Sequence, residues 1–191
     1  MDYNTHPYYT HVPFMIETLK MTTGDVLECG CGVGSTLNIK KTLNNTGRKL
    51  VSIESNLEWL NKYIHLADEF HELYHVDATD EDNIETGVKW VDFIKQYNLN
   101  NFEIVFIDSS PWLSRKCCFE YFLDKAKIII IHDFDYFPIN NIIGSVISEE
   151  RKIHNNKNIH KVTINLDSVV KNYKLFYPPD DFLSERQAHL L

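Results

Sequence analysis

The chain has 191 residues, 43% of them hydrophobic and 24% charged, with a formal net charge of −8. That balance suits one ordinary globular domain spanning 1–191, large enough for a sizeable core. It argues against broad contact with nucleic acid, which relies on clustered Lys and Arg. No run is long enough to cross a membrane, and residues 1–20 lack the basic start and apolar middle of a secretory leader. The expected location is therefore cytoplasmic, with no membrane partner.

In chain order, an aromatic start (Tyr3, Tyr8, Tyr9, Phe14) leads into a predicted helix over 10–20, with Thr10 as its N-cap and His11 beside it. Asp25-Val26-Leu27-Glu28-Cys29 then reads as a strand that runs into Gly30-Cys31-Gly32-Val33-Gly34-Ser35-Thr36. Glycines at alternate positions make a tight turn where a ligand can lie against bare backbone. A helix is predicted over 35–45 and a second strand over 49–54, ending in Glu54-Ser55. After a predicted helix at 57–70, a third strand at 72–76 ends in Asp77-Ala78. Acids at Asp80, Glu81 and Asp82 open a predicted helix over 81–97.

A fourth strand at 102–107 ends in Asp108-Ser109-Ser110-Pro111-Trp112, which begins a predicted helix over 112–125. The fifth, at 126–131, ends in His132-Asp133-Phe134-Asp135. Strands four and five are unbroken apolar runs, as expected for strands buried on both faces of a parallel sheet. A helix over 140–152 follows, then two strand-like runs at 160–166 and 173–177. This alternation is the pattern of a doubly wound α/β sheet. In such sheets the ligand sits outside the carboxyl ends of the strands, where the notable polar residues of this chain fall.

The four cysteines, Cys29, Cys31, Cys117 and Cys118, lack zinc-ligand spacing and are read as reduced small residues. Lys40-Lys41 with Arg48, and Arg151-Lys152 with Lys157 and Lys161, are read as solvated charge rather than as a nucleic-acid surface.

The glycine spacing narrows the ligand. A dinucleotide site wants G-x-G-x-x-G, but the sixth position from Gly30 is Ser35. Gly30-x-Gly32-x-Gly34 with Glu28 ahead of it instead resembles motif I of the class I S-adenosylmethionine-dependent methyltransferases. The resemblance extends in element order over about 10–178. It implies a Rossmann-like sheet of about seven strands, mostly parallel with an antiparallel last strand. Residues 1–20 would then be a lid segment, 24–178 the core and 179–191 a tail. It also implies that Glu28, Gly30, Gly32 and Gly34 pass the methionine part of the cofactor. Glu54 and Ser55 would meet the ribose, and Asp77 and Ala78 the adenine, with Asp108 at the far side.

The pair His132-Asp133 after strand five is similar to the ending found in small-molecule and sugar methyltransferases, which also end strand four in Ile-Asp, as Ile107-Asp108 does. Two roles compete for this end. In one, His132 is the general base, since its unperturbed pKa lies close to neutral, with Asp108 and Asp133 at the same reacting end. Alternatively, Asp108, Asp133 and Asp135 gather a Mg²⁺, as in the catechol-type enzymes, although Phe134 stands where those carry an asparagine. The tetrad Ser109-Ser110-Pro111-Trp112 partly resembles the Asp/Asn/Ser-Pro-Pro-aromatic motif of enzymes that methylate exocyclic amines, with Ser110 in place of the first proline. Arg115 is a candidate for an anionic substrate group.

The leading expectation is methyl transfer to an oxygen or nitrogen of a small polar acceptor, a sugar or nucleotide-sugar foremost. The alternatives are methylation of a nucleic-acid base or protein side chain, and a catalytically silent cofactor-binding subunit. The aromatic segments also suit a homodimer contact.

Overall fold

In the computed structural model of the protein, the described residues are 9, 11–78, 81 and 83–132. Five strands form one sheet: β1 Val26–Cys29, β2 Leu50–Glu54, β3 His71–His75, β4 Ile104–Ile107 and β5 Ile128–Ile131. Their order is β3-β2-β1-β4-β5, with every neighbouring pair parallel. The helices are α1 Val12–Lys20, α2 Thr36–Leu43, α3 Leu57–Asn61, α4 Ile84–Gln96 and α5 Trp112–Phe122. The expected helix at 140–152, the strands at 160–166 and 173–177, and the tail lie outside the described residues.

Alternation along the strands sends side chains to two faces, and each face has its own helices. Leu27, Val51, Val105 and Ile107 pack with Trp90 and Ile94 of α4 and with Cys118, Phe119 and Phe122 of α5. Val26, Leu50, Ile104, Phe106 and Ile130 face the other way, against Met15 and Leu19 of α1 and Ile39 and Leu43 of α2. The sheet is therefore doubly wound, and β1, β2 and β4 are buried at every position. Each large side chain so buried is worth about 1.5–3 kcal/mol, and a one-residue slip in register would exchange the two faces. Among the described residues no helix is long and apolar enough to cross a membrane.

Element ends depart from expectation for local reasons. The helix predicted over 57–70 stops at Asn61, with a short 3₁₀ turn at Ile64–Leu66. Asp68 captures the amide of Phe70 through its own carboxylate at 2.9 Å and bridges to His71, so the chain turns into β3. Helix α4 begins at Ile84 because the Asn83 side chain accepts from the amide of Thr86 at 2.9 Å. Helix α1 takes His11 as its N-cap residue, without a side-chain bond, and carries Pro13 in its first turn. Thr10 lies outside the described residues.

Arg48 is an internal strut, not the solvated charge that the sequence suggested. It is buried, with Nε donating to the Gly24 carbonyl at 2.6 Å and Nη1 to those of Leu19 at 2.7 Å and Thr22 at 3.2 Å. These carbonyls lie at and just beyond the C-terminal end of α1, where a cation also complements the helix dipole. Arg48→Ala is expected to lower the unfolding free energy by about 2–3 kcal/mol in urea denaturation. Arg48→Lys should recover only part of that, since one ammonium cannot reproduce the planar fork. An alanine variant as stable as the wild type would contradict this role.

Candidate functional site

The turn after β1 sits at the carboxyl edge of the sheet, where β1 lies between β2 and β4 and the strand order reverses. Gly30 has φ +95, and a Cβ there would stand 2.5 Å from the Asp108 carbonyl oxygen and 2.7 Å from the Ser109 Cα. The protein itself thus demands glycine at this position, because the exit of β4 presses against it. Gly32 differs. A Cβ there would meet only the Ser35 hydroxyl, at 3.0 Å, which can rotate away. Its bareness is not forced by backbone packing, so it leaves a small cradle on the half-buried turn. The Gly34 carbonyl accepts from the Asn38 side chain at 2.8 Å, anchoring the turn to α2.

Two carboxylates hold this turn. Glu28 is fully buried in β1, register-paired with Ser52 of β2. It accepts from the Ser52 hydroxyl at 2.6 Å and the Thr36 hydroxyl at 3.0 Å. The Thr36 oxygen in turn accepts from the Gly32 amide at 2.9 Å. Ser52 is also 2.9 Å from His71 Nε2, which must carry the proton if the serine donates to Glu28. Glu28 was expected to face the cofactor. It instead supports the glycine turn from within the sheet, through Thr36.

Burial pushes the Glu28 carboxyl up to about 7, against the opposing pull of neighbouring hydroxyls. Above its ordinary value of 4.5 the unfolded chain loses this proton, while the folded chain keeps it until about pH 7. Stability from this group therefore falls as pH rises through that window. His71, lowered by burial to about 4, acts in the opposite sense below pH 6.5. Comparing Glu28→Gln with the wild type cancels the histidine. The variant is expected to gain roughly 2 kcal/mol relative to wild type between pH 5 and pH 8 in chemical denaturation. An equal difference at both pH values would refute a neutral buried Glu28.

Glu54, at the end of β2, is buried and accepts from the amides of Cys31 and Asn56, each at 2.8 Å. Burial raises its pKa although these amides oppose the shift. Its carboxylate thus lies directly on the glycine turn. Ser55 donates from its hydroxyl to the Ser110 carbonyl at 3.2 Å, tying the end of β2 to the loop after β4. The Trp59 indole donates to the Cys31 carbonyl, and with Tyr63 it packs against the Cys31 side of the turn. Asp77 is exposed just past β3, and Ala78 packs against the core beneath. All four cysteines are free and buried.

The far side of the switch point carries a charged cluster. The Asp108 Oδ1 pairs with Arg115 Nη2 at 2.7 Å, and Oδ2 with His132 Nδ1 at 3.1 Å. Arg115 also donates from Nε to the Ser109 carbonyl at 2.7 Å and from Nη1 to the His132 carbonyl at 2.8 Å. A substrate-facing arginine was one expectation from sequence. The side chain is instead buried and spent on fixing the ends of β4 and β5. Burial alone would push the Asp108 carboxyl up, but Arg115 and His132 together hold it below the usual carboxylate range. An ionised Asp108 selects the Nδ1–H tautomer of His132 and leaves the ring's lone pair on Nε2.

His11, at the start of α1, completes the cluster. Its ring lies 4.3 Å from that of His132, edge to face, and 5.0 Å from that of Phe106. From sequence alone His11 was open to two readings, an approach to the cofactor carboxylate or plain packing, because a histidine at a helix start carries no signal of what faces it across the sheet. Ser109 is fully buried, its Oγ accepting from Ser114 at 2.7 Å, and Pro111 serves as the N-cap of α5. The partial tetrad is thus built into the β4–α5 connection. Asp133 and Asp135 lie outside the described residues.

Asp108 is the one described member of the expected Mg²⁺ donor set, since Asp133 and Asp135 lie outside the described residues. Both its oxygens are engaged, one by a guanidinium that would repel a second cation, and no group of three His, Cys, Asp or Glu among the described residues is placed to hold a metal. The glycine turn does suit the methionine and ribose part of S-adenosylmethionine, through the cradle at Gly32 and the carboxylate of Glu54 beside it. No protein-family model matches the chain, and no curated protein matches it.

Proposed function

We propose that the protein is a class I S-adenosylmethionine-dependent methyltransferase acting on an oxygen or nitrogen of a small polar acceptor, in the first place a sugar or nucleotide-sugar. One observation carries the reading: a glycine turn with a buried carboxylate on it and an Asp–His pair lie on opposite sides of the same switch point. Two further strands after β5, the last antiparallel, would complete the sheet of that fold. Gly32 and Glu54 would hold the cofactor, with Asp77 and Ala78 toward its adenine, and Asp133 would flank the reacting end.

When bound, the cofactor supplies an electrophilic methyl group on sulfur. The chain's residues then have two tasks, alignment and proton removal. Holding acceptor and methyl in line converts a bimolecular encounter into an intramolecular one, worth several kcal/mol. His132 takes the acceptor proton at Nε2, while Nδ1 stays on Asp108, whose charge stabilises the imidazolium as it forms. Arg115 keeps Asp108 ionised and in place. The buried floor of Phe106 and the β-strand ends excludes water beneath the two histidines.

The test is transfer of labelled methyl from S-adenosylmethionine to a panel of nucleotide-sugars, with and without EDTA. Transfer that survives EDTA is expected. Transfer abolished by EDTA would overturn the histidine-base mechanism, and none to any member would overturn the acceptor class.

A further inference from the structure

We propose that Glu28 and its hydroxyl network are a charge sensor beneath the glycine turn: they favour the cationic methyl donor over its neutral product, and Glu28 gives up a proton when the donor binds. The inference rests on the methyltransferase reading above and adds a regulation of that same site. Glu28 is fully buried, and among the described residues no cation pairs with it. Its carboxyl receives two hydroxyls instead, Ser52 at 2.6 Å and Thr36 at 3.0 Å. A buried charge without a counter-ion is unfavourable, so the carboxyl keeps its proton until a positive charge comes near. The other titratable groups beside it are themselves acids: Glu54 of β2, Cys29, Cys31 and Tyr63. Its register partner on β4, Phe106, and Met15 and Leu19 of α1 on the same face are apolar. On β3, burial keeps His71 neutral at ordinary pH, with Lys40 of α2 adding to the effect and the Leu66 carbonyl and Asp68 opposing it.

The network accommodates both states of Glu28. With the carboxyl ionised, Ser52 and Thr36 both donate to it, and His71 Nε2 donates to Ser52 across 2.9 Å. With a proton on Oε2 the direction reverses: Glu28 donates to Ser52, and Ser52 to His71 Nε2. No heavy atom has to move, and the relay leads the proton toward β3 at the edge of the sheet. Thr36 is the link to the ligand, because its hydroxyl donates to Glu28 while its oxygen accepts from the Gly32 amide at 2.9 Å. A ligand lying on the turn does not touch Glu28. Its charge acts on the carboxyl through a buried network, where screening is weak. Methyl transfer removes that charge from the sulfur, so Glu28 takes its proton back and the product is held less tightly.

The experiment pairs ¹³C carboxyl signals of the full-length protein with calorimetric titration of S-adenosylmethionine and S-adenosylhomocysteine. Free Glu28, pushed up by burial to about 7, is expected to titrate there and to titrate lower once the donor is bound. For a coupling of about tenfold, the preference for donor over product should rise about fivefold from pH 6 to pH 8. Donor binding at pH 7 should release about 0.4 proton from Glu28, read from two buffers of different ionisation enthalpy. Glu28→Gln, which cannot ionise, should lose both effects, and the comparison cancels the titration of Glu54 and of the ligand's own amino group. If that variant does not fold, the wild-type carboxyl signal decides alone. A preference equal at both pH values, a Glu28 signal that the donor leaves unmoved, or effects that survive in Glu28→Gln would each overturn the sensor. Binding of the two cofactor forms in those cases leaves the methyltransferase reading standing. Failure of both to bind would remove that reading and the inference with it.

Discussion

Gly30→Ala is expected to destabilise the protein by roughly 2–5 kcal/mol and to remove cofactor binding with it. The methyl group would have to occupy a position 2.5 Å from the Asp108 carbonyl oxygen and 2.7 Å from the Ser109 Cα. Neither can move cheaply. The Asp108 amide is bonded to the Cys29 carbonyl at 2.8 Å, and the Gly30 amide to that of Ile53 at 2.8 Å, so turn and strand exit are pinned to the same sheet. A backbone at φ +95 adds its own strain for any residue with a side chain. A loss of this size is a large fraction of the 5–15 kcal/mol that holds a domain together. Gly32→Ala gives the matching contrast. Its Cβ meets only a rotatable hydroxyl, so stability should stay within about 1 kcal/mol of wild type while S-adenosylhomocysteine binding weakens. Chemical denaturation and calorimetry of the two variants separate the roles. A Gly32→Ala protein that binds as the wild type does would show that nothing lies in the cradle.

Asp108→Asn should have the second large effect. The amide replaces the carboxylate that Arg115 and His132 share, leaving a buried guanidinium beside a neutral group. Breaking a buried pair in this way costs about 3–5 kcal/mol, reduced here because the Asp108 side chain retains 21% exposure. Methyl transfer should fall by about 10²- to 10⁴-fold, because the asparagine can also stabilise the wrong His132 tautomer and cannot balance the imidazolium. The sign of the pH effect follows from the depressed carboxyl of Asp108. Its stabilisation is present above the ordinary carboxylate pKa and is lost as pH falls through the folded value. Wild type and variant should therefore converge in stability under strongly acidic conditions and differ at neutrality. A constant difference across that range would contradict an ionised Asp108.

Much of the architecture was legible because it depends on runs and periods. Strand-length segments, mostly apolar at β1, β2, β4 and β5 and each ending in polar residues, translate directly into a parallel sheet whose inner strands β1, β2 and β4 are buried on both faces, and the glycine turn marks its switch point. What was hidden depends on which side chains face each other across the sheet. Ser52 interrupts an apolar run and His71 opens β3, yet only the parallel register places Ser52 beside Glu28 and brings His71 to Ser52. The same holds for Arg115, which from sequence resembles surface charge on a helix and is in fact buried against three strand-end carbonyl and carboxylate groups. Helix ends were misjudged where a side chain outcompeted the helix, as Asp68 and Asn83 do. Glycine identity alone also conflated two reasons for a missing side chain: Gly30 answers to the protein's own packing and Gly32 to the space above the turn.

The central claim is the cofactor, and calorimetric titration with S-adenosylhomocysteine tests it most directly, with NAD⁺ as the control and Glu54→Ala as the variant. Binding of S-adenosylhomocysteine but not NAD⁺, lost in Glu54→Ala, is the expected result. No heat from S-adenosylhomocysteine, or equal binding in Glu54→Ala, would contradict the account and leave the glycine turn as a structural junction between β1 and β4.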